Sequence, residues 1–576
     1  MTPEQFFADF GHLADAPNGV QKLRGLILQL AVRGKLVEQD PADEPTTSLL
    51  ERIQAEKARL VKEKKIRKAD PMPPVSAEEA PYELPKGWKW VRLGDICTYI
   101  QRGKGPVYAD SSTHRVISQK CVRWYGLDLE PARYIDPVSL EKYEPVRFLR
   151  VGDLLWNSTG TGTIGRACLV PQELEELEIV ADSHVTVVRS IEVSPTFLWR
   201  WIQSPIVQDE IEGSASGTTN QIELNTSTVI NHLMPLPPLA EQHRIVTKVD
   251  QLMALCDELE TKQQRSRTKL TRLNNAALDR LTSARETDDF TTAWQLVRDS
   301  FDLLYTTPET IAKLRQAILQ LAVQGKLVPQ DPDDEPASVQ LARIKAEQEQ
   351  LMKEKKIRKA DPLPQVSADE EPYALQPGWE WVRLGEIRRV IEYGTSQKAH
   401  EFPKGVPILR MNNILDGKVL LENLKYVEDT IDELPRLYLK KNDLLFNRTN
   451  SYELVGKTGL FRGDDDRYTF ASYLIRIALF HEYLDASYIN ISMNSGYFRK
   501  TQIEPEITQQ CGQANFNGTK LGMSSIPLPP HAEQHRIVAK VDQLMALCDE
   551  LEAKLTRSQA KAEKLTAAAV QGLIAA

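Results

Sequence analysis

The chain has 576 residues, 41% hydrophobic and 26% charged, with a formal net charge of −8. That length admits three to five folded units of roughly 100–200 residues each, and the ordinary apolar share excludes disordered, collagen-like and mini-protein classes. No run approaches the ~18 apolar residues of a membrane helix, so no membrane association is expected. The opening MTPEQFFADF has no basic region before an apolar stretch and does not read as a signal peptide. Six cysteines, at 97, 121, 168, 256, 511 and 548, form no CxxC pair and read as reduced thiols of a cytoplasmic protein. The nine histidines contain no HExxH, and no metal site is expected. The acidic balance offers no bulk attraction to an anionic partner, so any such attraction has to be local.

The chain repeats itself. Residues 1–85 form a helical hairpin and linker. Leu23, Leu26, Ile27, Leu30 and Val37 follow helical spacing up to the turn QDPADEP, and the largely polar TTSLLERIQAEKARLVKEKKIRKA supplies the second helix. A proline-rich spacer follows, and GWKWVRLG then opens a strand with Trp88 and Trp90 on one face and Val91 and Leu93 on the other. Residues 86–238 are a variable domain, closed by PLPP, which reads as a rigid lead into a helix. Residues 239–283 are a long helix whose Ile245, Val249, Leu252, Cys256, Leu259, Leu270 and Leu273 step by four and three, as in a coiled coil.

The series then begins again. Leu23 recurs as Leu314, an offset of 291, with Ile318, Leu321 and Val328 on the same face. The acidic, weakly patterned stretch 282–308 connects the copies, and the connector with its second hairpin fills 284–376. A second variable domain spans 377–530. A second long helix, 531–576, carries its seam on Ile537, Val541, Leu544, Cys548, Leu551, Leu555, Ala562 and Leu565. PLPPLAEQHRIV at 235 returns as PLPPHAEQHRIV at 527. The fold class is therefore α+β: two mixed α/β domains separated by long coiled-coil helices that pair with each other, in a tandem repeat with pseudo-two-fold symmetry.

The variable domains carry the polar chemistry. Residues 97–170 hold ten Lys and Arg against seven acids, and 388–462 hold 13 against ten. Their glycine- and amide-rich segments supply the donors and acceptors that read base edges. In the first domain the candidate contacts are Gln101, Arg102, Lys104, Ser118, Gln119, Lys120, Asn157, Ser158, Thr159, Thr161 and Arg166, with Gly217, Thr218, Thr219 and Asn220 as weaker candidates. In the second they are Thr395, Ser396, Gln397, Lys398, Arg410, Asn412, Asn413, Asn447, Arg448, Thr449, Asn450 and Lys457. Asp153-Leu-Leu-Trp-Asn157 aligns with Asp443-Leu-Leu-Phe-Asn447 as a shared buried strand, after which the loops diverge. A common scaffold with different polar tips suits two readers of different sequences.

Other motifs carry less. Gly160-Thr-Gly162-Thr-Ile-Gly165 matches GxGxxG, but β-like RACLVP comes next where a dinucleotide site needs a helix. Gly456-Lys457-Thr458 resembles the end of a phosphate-binding loop whose first glycine is replaced by Ser451. No adenine-methyltransferase motif is present. Glu63-Lys64-Lys65 has no partner acid of a nuclease, and the repeated KEKKIRKADP reads either as helix-end cations or as a docking or phosphate-contacting surface. His243 and His535 read as packing or hydrogen-bonding residues, with no catalytic set around them.

Two PLPPxAEQHRIVxKVDQL blocks, each closing a variable domain opened by GWxWVRLGxI, resemble the specificity subunits of type I restriction–modification systems. The resemblance spans nearly the whole chain. It implies that the variable domains are target recognition domains for double-stranded DNA and that the long helices form an antiparallel spacer. It further implies that this chain has no catalytic residues. Two methyltransferase subunits and the restriction subunits are the expected partners and would carry S-adenosylmethionine, ATP and Mg. A specificity subunit of a related bipartite type II system is the nearest alternative, and a coiled-coil scaffold is more remote. Two unlike heads on one frame would meet half-sites about one DNA turn, roughly 34 Å, apart.

Overall fold

The computed structural model describes residues 14–68, 72–141, 143–160, 162–174, 178–215, 223–357, 362–510 and 513–575. The chain divides into two compact units. One holds the described residues of Met1–Ser266 with those of Ser558–Ala576, and the other holds Arg267–Arg557.

The first unit opens with helix Gly19–Val32, which buries Leu23, Leu26 and Ile27 as their spacing requires. Helix Thr46–Lys62 buries Leu49 and Ile53 and stops sooner than its sequence suggests. Between Val61 and Ile66 there is no apolar residue to bury, and Lys64 turns left-handed at φ 56°. The described part of KEKKIRK is therefore a helix stop rather than helix, and the second hairpin ends alike, after Ala337–Lys353, with Lys355 at φ 57°. Residues 69–71 and 358–361 of these tracts lie outside the described set.

Strand Lys89–Arg92 pairs antiparallel with Leu233–Leu236, in register Lys89 to Leu236. PLPP is thus half strand and half helix lead-in; a two-stranded ribbon tolerates Pro235 because its missing N–H faces no further strand. Leu93 does not continue the strand but starts the short helix Leu93–Ile96. Trp88, only 6% exposed, donates its indole N–H to Glu241 Oε2 at 3.0 Å, tying this ribbon to the first turn of the helix beyond it. The second unit repeats the device, with Glu380–Arg383 paired to Ser525–Leu528 and Trp379 donating to Glu533 at 2.9 Å. A hydrogen bond to a charged group contributes about 1.5–3 kcal/mol. The residues of AEQHR that anchor the frame are consequently the buried Glu241, Gln242, Glu533 and Gln534, whereas His243 and His535 are exposed. Gln242 Oε1 accepts from the Ser194 N–H and Gln534 Oε1 from the Asp485 N–H, each at 2.9 Å.

Helices Leu239–Ser283 and His531–Ala575 each have 45 residues, a length of about 68 Å at 1.5 Å per residue. Their seams differ in part from the sequence pattern. Ile245, Val249, Leu252, Cys256 and Leu259 are buried in the core of the first unit, together with Leu23 and Ile27 of the hairpin. Farther along, Leu273 is exposed, and the buried line passes through Asn274, Ala277, Leu278 and Leu281. In the second helix Ile537, Val541 and Cys548 are buried, and Leu565 is 61% exposed. The connector is helical, Thr287–Asp299 and Phe301–Leu304, because Ala293, Val297 and Leu304 find a core to enter.

The first helix of each hairpin, with the turn after it, bonds residues of both long helices or their ends within its own unit. Arg24 bonds Asp257 at 2.5 Å and Glu260 at 3.1 Å, while Lys22 meets Glu563 at 3.5 Å and Lys35 donates to the Ile574 carbonyl at 2.8 Å. In the second unit Arg315 bonds Asp549 and Glu552, Lys313 bonds Asn275, and Lys326 donates to the Ala284 carbonyl. Among the described residues no helix is long and apolar enough to cross a membrane.

The spacer is pinned by Arg92 to Glu79 and Arg383 to Glu370, each at 2.7 Å. The guanidinium hydrogen bond, helped by the N–H groups of Ser76 and Ser367, lowers both carboxyls to about 2. A depressed carboxylate stabilises the fold above its unfolded value, and that stabilisation is lost as pH falls through the folded value. Acid unfolding should therefore steepen between pH ~4.5 and ~2. The double variant Glu79→Gln/Glu370→Gln should flatten that limb in a circular-dichroism titration; an unchanged limb would contradict the assignment.

Candidate nucleic-acid interface

The first variable domain is built on an antiparallel sheet ordered Cys97–Arg102, Val185–Ser190, Leu154–Asn157, Ala167–Leu169. Its register sets Arg102 beside Thr186, Val185 beside Asn157, and Trp156 beside Ala167. Gln101, Arg102, Lys104, Asn157, Ser158, Thr159 and Arg166 therefore gather at one end of this sheet. A second sheet, with Ile179–Ala181 parallel to Arg115–Ile117, delivers Ser118, Gln119 and Lys120 to the same end. The junction is close: the Asp182 N–H donates to the Ile117 carbonyl at 2.9 Å, and the Lys104 N–H to the Ala181 carbonyl at 3.1 Å. Burial raises the Asp182 carboxyl, against the pull of the His184 N–H that it accepts at 2.9 Å.

The polar tips are held at different strengths. Arg102 pairs with Glu223 and donates to the Leu224 carbonyl at 3.1 Å. The Lys104 ammonium lies 5.3 Å from the Tyr143 ring centre. Thr159 Oγ1 is 2.7 Å from His184 Nδ1, and Arg166 donates to the Gly162 carbonyl at 2.8 Å. Gln101, Lys104 and Lys120 are exposed. Thr161, Gly217, Thr218, Thr219 and Asn220 lie outside the described residues.

The second domain repeats the plan with the order Arg388–Tyr393, Leu474–Leu479, Leu444–Asn447, Thr458–Leu460, then Lys418–Val419 and Ile414–Leu415. Thr395 and Arg448 meet around Ser472 and Tyr473. The Ser472 N–H donates to the Thr395 carbonyl at 2.8 Å, the Arg448 N–H to the Tyr473 carbonyl at 3.0 Å, and the Arg448 side chain to the Ser472 carbonyl at 3.3 Å. Ser396, Gln397 and Lys398 extend from there, all exposed. Strand Val406–Leu409 brings Arg410, Asn412 and Asn413 alongside, since the Ala471 N–H donates to the Leu409 carbonyl at 2.9 Å. Arg410 donates to the Asn423 carbonyl at 2.9 Å, and Asn412 is exposed. Lys457 is half-buried, its carbonyl accepting from the Asn447 N–H at 2.8 Å. Asn450 pairs with Ala514 in a small sheet that also sets Thr508–Gln510 against Gln513–Asn515.

Six of the proposed contact residues are buried: Asn157, Ser158, Thr395, Asn413, Asn447 and Thr449. Five of them, all but Asn447, bond other parts of the chain through their side chains. Asn413 donates to the Leu420 and Glu422 carbonyls at 3.1 and 2.9 Å, Thr449 Oγ1 bonds Asn515 Oδ1 at 2.8 Å, and Thr395 Oγ1 meets Glu433 at 3.2 Å. Ser158 Oγ shares a hydrogen bond with Thr186 Oγ1. These bonds shape loops, and the exposed tips beside them remain the candidates for contact with a ligand.

Residues not singled out in the sequence lie at the same sheet ends. Tyr393, 43% exposed, lies 5.0 Å from the Arg448 guanidinium, with the exposed Tyr473 beside them. His184 backs the first domain's loop. Aligning QRG at 101 with EYG at 392 would have shown that Tyr393 occupies the place of Arg102. Both glycine motifs run into strands and so cannot bind a nucleotide in the expected way: Ala167–Leu169 begins just past Gly165, and Thr458–Leu460 begins at Thr458. A nucleotide phosphate cradle would need a helix N-terminus there. Among the described residues no cluster of His, Cys, Asp and Glu could hold a metal ion.

Comparison with known proteins adds the context. The family model described as the type I restriction modification DNA specificity domain matches twice, over 85–267 and 377–558. The type I restriction enzyme EcoAI specificity subunit of Escherichia coli is 34% identical over 560 residues, covering 92% of this chain and 90% of that protein. The EcoEI specificity subunit of the same species is 33% identical over 562 residues, covering 94% and 91%. A crystal structure of the HsdS subunit from Thermoanaerobacter tengcongensis aligns over 86% of this chain and 98% of that one, at 21% identity and a TM-score of 0.40.

The close junction of the two sheets makes a direct prediction. A Cβ on Gly103 would lie 2.1 Å from the Ala181 and Asp182 carbonyl oxygens, and one on Gly394 would lie 2.2 Å from that of Phe470. Gly103→Ala and Gly394→Ala should each cost about 1–3 kcal/mol through forced backbone shifts. Calorimetry should record a lowered unfolding temperature for both; an unchanged one would contradict the close approach.

Proposed function

Because this chain belongs to the type I restriction modification DNA specificity family, we propose that it is the specificity subunit of a type I restriction–modification complex. It reads an asymmetric, bipartite target in double-stranded DNA and directs adenine methyltransferase and restriction subunits to it. The first variable domain reads one half-site and the second the other. The observation that carries this reading is the repeated sheet end: the same strand register delivers Arg102, Ser118–Lys120 and Thr159 in one domain and Tyr393, Arg410–Asn412 and Arg448 in the other. One scaffold presenting two unlike sets of donors specifies two unlike words.

The subunit carries out no chemistry of its own. S-adenosylmethionine, ATP and Mg act in the partner subunits, two methyltransferases and the restriction subunits, and the complex works in the cytoplasm. The long helices serve as an antiparallel spacer that leaves the DNA between the half-sites unread. The membership favours this over a type II relative.

Arg448 provides the test. Its guanidinium is half-buried against Tyr393 at the sheet end, where a fork of donors suits a guanine edge. In a methylation assay with the assembled complex, Arg448→Ala should relax or abolish recognition of one half-site, at about 1–3 kcal/mol. Equal loss across all sequences would make it a phosphate contact, and no change would remove it from the interface.

A further inference from the structure

Both variable domains end the same central strand on an asparagine. Asn157 is 0% exposed and Asn447 1% exposed, so neither reaches a ligand directly. Each pinches the loop just beyond it. The Asn157 N–H donates to the Arg166 carbonyl at 2.8 Å, and its own carbonyl accepts from Gly165 at 3.0 Å. Asn447 does likewise with Lys457 and Gly456, each at 2.8 Å. The Asn157 side chain goes further. Its amide nitrogen donates to the Gln119 carbonyl at 3.1 Å and to the Thr163 carbonyl at 3.2 Å, joining two loops that come from different sheets. Gln119 and Thr163 also meet through their side chains at 3.5 Å, and Gly160, at φ 108°, leaves room for Gln119 where a Cβ would lie 2.3 Å from its Oε1.

The two ends of the amide are used unequally. Asn157 Oδ1 and Asn447 Oδ1 are both buried with no hydrogen-bond partner among the described residues. An unsatisfied buried acceptor is costly, and at Asn157 that cost accompanies the two loop-joining bonds that the nitrogen end of the same amide donates. Two copies that have diverged across the rest of these loops nevertheless keep asparagine at this strand end.

We propose that Asn157 is a positioning residue for base recognition: its amide locks the Ser118–Lys120 turn to the loop after Asn157, so that both present their donors to the first half-site as one rigid unit. This rests on the reading of the chain as a DNA specificity subunit. Rigid presentation confers discrimination because a wrong base then leaves a donor unpaired rather than re-aimed.

The test uses the full chain assembled with its methyltransferase subunits, Asn157→Ala, and Asn157→Asp, which keeps the shape but loses both N–H donors. Methylation is measured on the target, on single mismatches in each half-site, and alongside thermal unfolding. Both variants should lose about tenfold in discrimination against first-half mismatches, with second-half discrimination unchanged. Should Ala fail to fold, Asp carries the same comparison. First-half discrimination left intact overturns the proposal, whatever the change in unfolding temperature, and so does an equal loss in both halves. If the wild-type complex itself shows no split target, the proposal falls with the reading beneath it; a wild type that discriminates while the variants do too sinks the proposal alone.

Discussion

Everything in each unit depends on the chain entering and leaving its variable domain at one place. The four-residue ribbon, Lys89–Arg92 against Leu233–Leu236 in one copy and Glu380–Arg383 against Ser525–Leu528 in the other, zips the two ends together. A buried indole-to-carboxylate hydrogen bond then fixes that ribbon to the adjoining long helix. With both ends held, the segment between them can change without disturbing the frame. That is the physical reason that the frame residues repeat almost letter for letter while 98–234 and 389–526 do not. Burial raises the Glu241 and Glu533 carboxyls, and the indole and neighbouring arginine pull them back, so the anchor is maintained against desolvation by its partners.

Within the variable domains the same economy operates on a smaller scale. The strand Leu154–Asn157 has a buried acid before it and a buried amide at its end. Asp153 accepts the Arg150 N–H at 2.8 Å and binds Arg189 through both oxygens, while Asn157 clasps the loop beyond. Asp443 accepts the Lys440 N–H at 2.8 Å, but its arginine, Arg476, is shared with Glu392, and burial pushes its carboxyl up to about 6. Divergence has therefore reached the supports of the second domain while leaving its strand order intact.

Much of this was legible in the sequence because it is periodic or repeated. The tandem frames, the hairpins and both long helices follow from apolar spacing and from the offset near 291. The loops bearing polar tips were also legible, because Gly, Asn and Thr cluster where strands end. What the sequence hid was burial. Asn157, Asn413 and Thr449 carry the same chemistry as an exposed reader, and only the neighbouring strand shows that their donors are spent. The seam past Leu259 was hidden for a related reason: Leu270 and Leu273 both satisfy the period, yet Leu273 is exposed and the buried line runs through Asn274, Ala277, Leu278 and Leu281. The ribbon role of PLPP was masked by its prolines, which argue against a strand unless the strand has a free edge.

The central claim is that two related but unlike heads read two separate words. Sequencing that detects methylated adenine in host DNA, with and without this gene, tests it most directly. The account predicts that the gene's loss erases methylation from one split motif, two different short words flanking an unread gap of constant length. A single continuous motif, or a methylation pattern that does not change, would contradict it.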